Sequence, residues 1–121
     1  ITKGQFIHCV TESIALYYTH TIQELESITN CTAAEICIGG GGAQNEILCQ
    51  LLANATQKII KAGPIEASSI GNGLSQLRAL NEISSIQQGR EIVKASFELN
   101  VFEPMDSKEW QEKNRKFAEI I

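Results

Sequence analysis

The residues with a chemical option open to them begin at Gly39. The stretch "EICIGGGGAQNEIL", residues 35–48, sets four glycines between a short apolar run and a helical pattern. A strand–glycine–helix junction can receive an anion, because glycine removes side-chain bulk and backbone N–H groups can approach phosphate oxygens. The helix dipole adds partial positive charge at the same place. Two familiar versions do not fit. The P-loop needs Lys and Ser/Thr after its glycines, and this loop continues Ala43, Gln44, Asn45. The dinucleotide fingerprint needs a third glycine where Gln44 or Asn45 stands, and an acid ending the next strand, where Lys61 stands. A packing turn needs one glycine, whereas four in a row add a large unfolded-state entropy, and this favours a ligand. Gln44 and Asn45 at the helix start can offer amides to a base, a ribose or a phosphate.

Other chemistry-bearing residues are scattered. Cys9, Cys31, Cys37 and Cys49 show no CxxC or CxH pairing, which argues against zinc and for buried free thiols in a reducing cytosol. His8 and His20 stand too far apart along one helix to share a metal. Glu12 reads as solvated or capping, and Glu66 follows Pro64 at a helix start, where an acid favours the dipole. Ser68 and Ser69 have no His/Asp partner in a nucleophile motif, and Tyr17 and Tyr18 are expected to pack. The sequon matches at Asn30 and Asn54 read as chance. Ten basic against fourteen acidic residues give 10 − 14 = −4 without a basic cluster, which excludes a nucleic-acid partner. No apolar run approaches the roughly 20 residues that span a bilayer.

The elements that must position these residues alternate. Ile7, Val10, Ile14, Tyr17, Tyr18, Ile22, Leu25 and Ile28 recur at helical steps, so a long amphipathic helix is expected over 5–29 with that stripe inward. "EICIGG" reads as a buried strand, Ala43 to Ala55 as a helix, and "KIIKA" as a second strand stopped by Gly63 and Pro64. A third helix is expected from Ile65 to Leu80. Gly71 and Gly73 within it each cost about 1 kcal/mol relative to Ala, so a backbone or ligand should approach them closely. "SSIQQGREIVKAS" forms a short helix with Ser85 and Gln88 at capping-box spacing. "FELNVFEP" places Phe97, Leu99 and Val101 on one face of an extended segment. A last helix starts near Asp106 and carries Trp110 and Phe117. The order implies one α/β domain with two parallel strands. Two strands make a poor sheet, and with Ile1 in place of Met this points to a piece of a longer polypeptide whose upstream strands complete it.

"IGGGGAQNEILCQLLANAT" followed by "AGPIEASSIGNGLSQL" resembles the C-terminal part of the FGGY carbohydrate kinases. There a Gly-Gly-Gly-x-Gln-Asn segment opens one helix and a Gly-Pro-x-Glu-Ala-Ser-x-x-Gly-Asn segment opens the next. The sequence departs at Asn54, where Asp is expected, and at Gln57, where a turn glycine is expected. The resemblance covers nearly all of 1–121. It implies a single C-terminal subdomain with the actin-like, ribonuclease H-like ATPase fold and ATP in a cleft between two such domains. It further implies phosphoryl transfer with Mg²⁺ to a sugar hydroxyl, that of L-rhamnulose first and xylulose as the other candidate. In these kinases the loop sits beside the nucleotide: its middle matches Gly41, with Gly40 and Gly42 alongside, Asn45 matches a polar nucleotide-contacting position, and Gln44 joins these as a candidate from the helix start. The catalytic aspartate and the phosphate hairpin match nothing in this chain, so this piece alone is expected to be inactive and to self-associate. The reading from a different class is a non-catalytic actin-like interaction module that uses the glycine turn for packing. The chain just upstream, with or without strands bearing a catalytic Asp, separates the two.

Overall fold

A computed structural model describes residues 1–121 as five α-helices and one three-stranded sheet. Helix α1 (Lys3–Thr29) opens on a capping box, in which the Thr2 side chain accepts from Gln5 N–H and the Gln5 side chain accepts from Thr2 N–H. Strand β1 (Glu35–Ile38) leads through a 3₁₀ turn (Gly40–Gln44) into α2 (Glu46–Thr56), and β2 (Ile59–Ala62) returns parallel to β1. Helices α3 (Ala67–Ala79) and α4 (Ile86–Ser96) follow, then β3 (Asn100–Phe102) and α5 (Ser107–Ala118).

The expected pair of parallel strands is present, and the tail corrects the rest. Its extended segment joins the sheet as β3, antiparallel to β2, giving the order β1-β2-β3. The register pairs Ile60 with Phe102 and Ala62 with Asn100, so Phe102 shares the inner face of β2. Val101 therefore lies on the outer face and is exposed.

The core lies on one face of the sheet, where Ile60 and Ala62 meet Leu52, Ala53, Cys49 and Trp110. Helix α1 joins it through Ala15, Leu16 and Thr19, and its expected inward stripe is turned away. Ile7, Val10, Ile14, Tyr17, Tyr18, Leu25 and Ile28 are exposed. Small residues at the seam let α1 approach α2 closely, and Ala15 and Thr19 supply them where the larger side chains would hold the helices apart. The Thr19 hydroxyl donates to Ala15 O, so its burial leaves no unpaired group.

Helix α5 locks this layer from the far end of the chain. Trp110 is buried, Lys113 pairs with Glu12 of α1, and Asn114 donates to Ala55 O, an orphan carbonyl of α2, at 2.8 Å. Its N-cap Asp106 makes no side-chain cap bond. Helix α3 buries no residue, and a Cβ at Gly71 or Gly73 would meet nothing within 4 Å, so the close approach expected there is absent. Of the four free cysteines only Cys49 is buried. No helix is long and apolar enough to cross a membrane.

Candidate functional site

The C-terminal ends of β1 and β2 lie side by side, and the two loops that leave them are stitched together. Gly63 N–H donates to Ile38 O at 2.7 Å, and Gly40 N–H donates to Pro64 O at 3.1 Å. The Gly63–Pro64 bond is cis. These contacts bring the first glycine motif and the "GPIEASS" motif into one surface, which neither segment reveals alone.

Each glycine of the run does something different. At Gly39 a Cβ would lie 2.8 Å from the Ala67 Cβ, so this position lets α3 begin hard against the loop. Gly40 has φ +76, a left-handed conformation that costs other residues about 1–2 kcal/mol. At Gly41 a Cβ would meet nothing within 4 Å, and at Gly42 only Ile38 at ordinary contact distance. The fold therefore demands Gly39 and Gly40, and packing within the chain gives no reason for glycine at position 41.

Helix α2 does not start at Ala43 as the sequence suggests. Gly40–Gln44 form the 3₁₀ turn, Ala43 is buried beneath it, and Asn45 is the N-cap of α2. Asn45 Oδ1 accepts from Leu48 N–H at 3.1 Å, which satisfies one orphan donor of the first turn. Asn45 is exposed, and its Nδ2–H donors suit an acceptor such as a phosphate or ribose oxygen. The turn is closed by Asn45 N–H donating to Gly42 O at 3.2 Å and by the Cys49 thiol, 3.8 Å from the same oxygen. Desolvation, with a smaller contribution from Glu46, raises the Cys49 pKa and keeps it a neutral thiol.

Gln44 is exposed and lines a neighbouring groove of about 560 Å³ together with Glu46, Glu66, Glu98 and the Gly63–Pro64 turn. Three carboxylates and no cation make that side hostile to a polyphosphate. The structure thus brings Gly40, Gly41, Gly42, Gln44 and Asn45 together, adds Gly39, Gly63 and Pro64, and splits Gln44 onto the acidic flank. The sequence did carry a sign of the addition, because "GP" was legible as a break, but not as a partner of the first loop.

The remaining candidates do not converge. Glu12 pairs with Lys113, His20 lies 3.5 Å from Glu24, and Glu66 makes no side-chain cap bond. No group of three or more His, Cys, Asp or Glu side chains is placed to hold a metal ion. Asn54 is buried, and its Oδ1 accepts from Gln50 Nε2 and Met105 N–H, which removes it as a glycosylation acceptor in the fold.

Residues 2–80 match the family model described as the FGGY family of carbohydrate kinases, C-terminal domain. That match takes in α1, the glycine loop and α3, and on it the chain belongs to the FGGY carbohydrate kinases. The rhamnulokinase of Bacillus subtilis is 41% identical over 105 residues, 87% of this chain and 22% of its own length. That of Halalkalibacterium halodurans is 44% identical over 103 residues, covering 85% and 22%. In Klebsiella pneumoniae a rhamnulokinase is 35% identical over 103 residues, again 85% of this chain and 21% of the relative. The chain thus spans about a fifth of the length of these relatives.

Proposed function

We propose that residues 1–121 form a single C-terminal subdomain of an actin-like, ribonuclease H-like fold in an ATP-dependent, cytoplasmic sugar kinase. In it the glycine loop makes one wall of the nucleotide site. The sugar is L-rhamnulose, converted to L-rhamnulose 1-phosphate, a reading supported by likeness to three rhamnulokinases. The observation that carries the nucleotide assignment is Gly41, whose missing side chain answers no neighbour in the fold. A bare backbone held by a closed 3₁₀ turn lets an anion approach its N–H groups, and Asn45 adds side-chain donors beside it.

Bound ATP supplies the phosphoryl group and brings Mg²⁺ with it. This chain's own part is to orient: the turn fixes the backbone, and the α2 N-terminus adds partial positive charge. The base for the sugar hydroxyl and the anchor for the metal belong to the catalytic-aspartate and phosphate-hairpin motifs, which match nothing in this sequence. The segment by itself is therefore expected to phosphorylate no sugar, and mutation-sensitive phosphorylation by these 121 residues alone would contradict that. In the full-length enzyme, Gly41→Val should raise KM for ATP by about ten-fold or more, each factor of ten being about 1.4 kcal/mol. KM for the sugar should move far less. Unchanged ATP kinetics would remove the assignment.

A further inference from the structure

Of the ten Lys and Arg side chains, Lys58, Lys61, Lys113, Arg115 and Lys116 are ion-paired. That leaves 10 − 5 = 5 without a carboxylate, and three of those five, Arg78, Arg90 and Lys94, line one cavity. The cavity measures about 490 Å³ and lies between the α3–α4 hairpin and the outer face of the sheet, where Cys37 of β1 faces it. No Asp or Glu lines it, although the chain carries fourteen. Leu74, Ile83, Val93 and Leu99 make its walls apolar. Gly89 of α4 is buried and faces Leu74 and Ile83, where a Cβ would stand in ordinary contact at 3.5 and 3.6 Å.

An apolar chamber of this volume falls in the range of small-molecule sites. Three cations line it with no carboxylate among the lining residues, a charge imbalance that an anion relieves. None of Gly40–Asn45 lines the chamber, so it is separate from the glycine loop and reaches it only through the shared Gly63–Pro64 turn.

We propose that this cavity is a second ligand site. It takes a small organic anion whose apolar body fills the chamber and whose phosphate or carboxylate meets Arg78, Arg90 and Lys94. The inference stands on charge and shape here and does not depend on the nucleotide reading.

Cys37 lines the cavity with an exposed thiol and reports on its occupancy. The test is peptide-resolved iodoacetamide labelling of Cys37 in the full-length polypeptide, with phenyl phosphate, benzoate or phenol as probes. Phenyl phosphate should slow labelling in a saturable way, benzoate should tell whether a carboxylate serves equally, and phenol should not protect. Arg90→Gln with Lys94→Gln should raise the half-protecting concentration by about ten-fold or more, as expected for two lost charge-assisted contacts. Arg90→Lys with Lys94→Arg should retain protection. Three results would each overturn the proposal: equal protection by phenol, protection indifferent to the double glutamine variant, or a Cys37 already unreactive without any probe because other chain covers it.

Discussion

A methyl group at Gly39 would sit 2.8 Å from the Ala67 Cβ, whereas at Gly41 it would meet no atom within 4 Å. Gly39→Ala should therefore destabilise the fold by about 1–3 kcal/mol through overpacking. Gly41→Ala should stabilise it by about 0.4–1 kcal/mol, since it removes unfolded-state freedom without a clash. Thermal melts of the two variants check the opposite signs, and a gain in Tm at Gly41 with a loss of ATP affinity would mark the position as functional. Asn45 separates cap from ligand in a second way. Asp caps a helix as well as Asn, yet Asn45→Asp replaces two donors by negative charge, so Tm should hold while KM for ATP rises. Asn45→Ala should lower both stability, by about 1 kcal/mol, and affinity. The sequence made it legible that this run needed glycine. Which glycine served the fold was not legible, because the deciding atoms belong to Ala67 and Pro64, far along the chain.

Elements were legible wherever their signals were local. The helices and the two parallel strands lie close to the expected positions, and Ser85 accepts from Gln88 N–H as the capping spacing suggested. The Gln88 side chain returns to Ser84 N–H, one residue earlier than in a full capping box. What periodicity could not tell was which face of α1 packs, since that depends on how near α2 can come. The two departures from the family pattern also acquire physical roles. Gln57 ends α2 in a left-handed conformation, φ 55, and its side chain donates to Asn54 O. Asn54 uses a carbonyl oxygen where a carboxylate would serve equally, so Asn54→Asp should change stability little. Asn54→Leu leaves Met105 N–H unpaired and should cost about 1–3 kcal/mol in urea unfolding. Between α1 and β2, Glu26 accepts from Lys58 Nζ and from Ala33 N–H. The Lys58 bond first, then the Ala33 bond, holds its carboxyl below the ordinary 4.5. A depressed carboxylate stabilises fully above its unfolded pKa and loses that contribution as pH falls below about 4.5. Wild type and Lys58→Met should therefore differ in Tm near neutrality and converge as the pH falls below that value.

At the scale of the whole molecule, the third strand covers the free side of β2, so the sheet's two edges are the three-residue β3 and the longer β1. β2 is flanked on both sides, while β1 has a partner only in β2. An unpaired strand edge templates further pairing, and the exposed stripe of Ile7, Val10, Ile14 and Tyr17 on α1 adds apolar surface. The isolated 121 residues are therefore expected to associate through one or both surfaces. Light scattering across a dilution series checks this, and a stable monomer at micromolar concentration would refute it. β3 itself was hard to foresee because a three-residue strand gains its identity from the register against β2. Periodicity over so few residues offers two faces and no reason to choose between them.

The pairing of Lys113 with Glu12 spans 101 positions of sequence, while β1, α2 and β2 close on one another within residues 35–62. Read along time rather than space, those separations make a schedule. The compact strand–helix–strand unit can form while the chain is still being synthesised, since its contacts are near in sequence. The seam between α1 and α2 can also form early. The clamp that holds both helices must wait until residues 107–118 have left the ribosome. Until then the site of Trp110 stands as an uncovered hollow, the condition in which nascent chains stick to one another. Pulse-labelling hydrogen exchange should accordingly find amides of β2 protected before those of α5. Simultaneous protection would show that the last helix is a member of the folding nucleus.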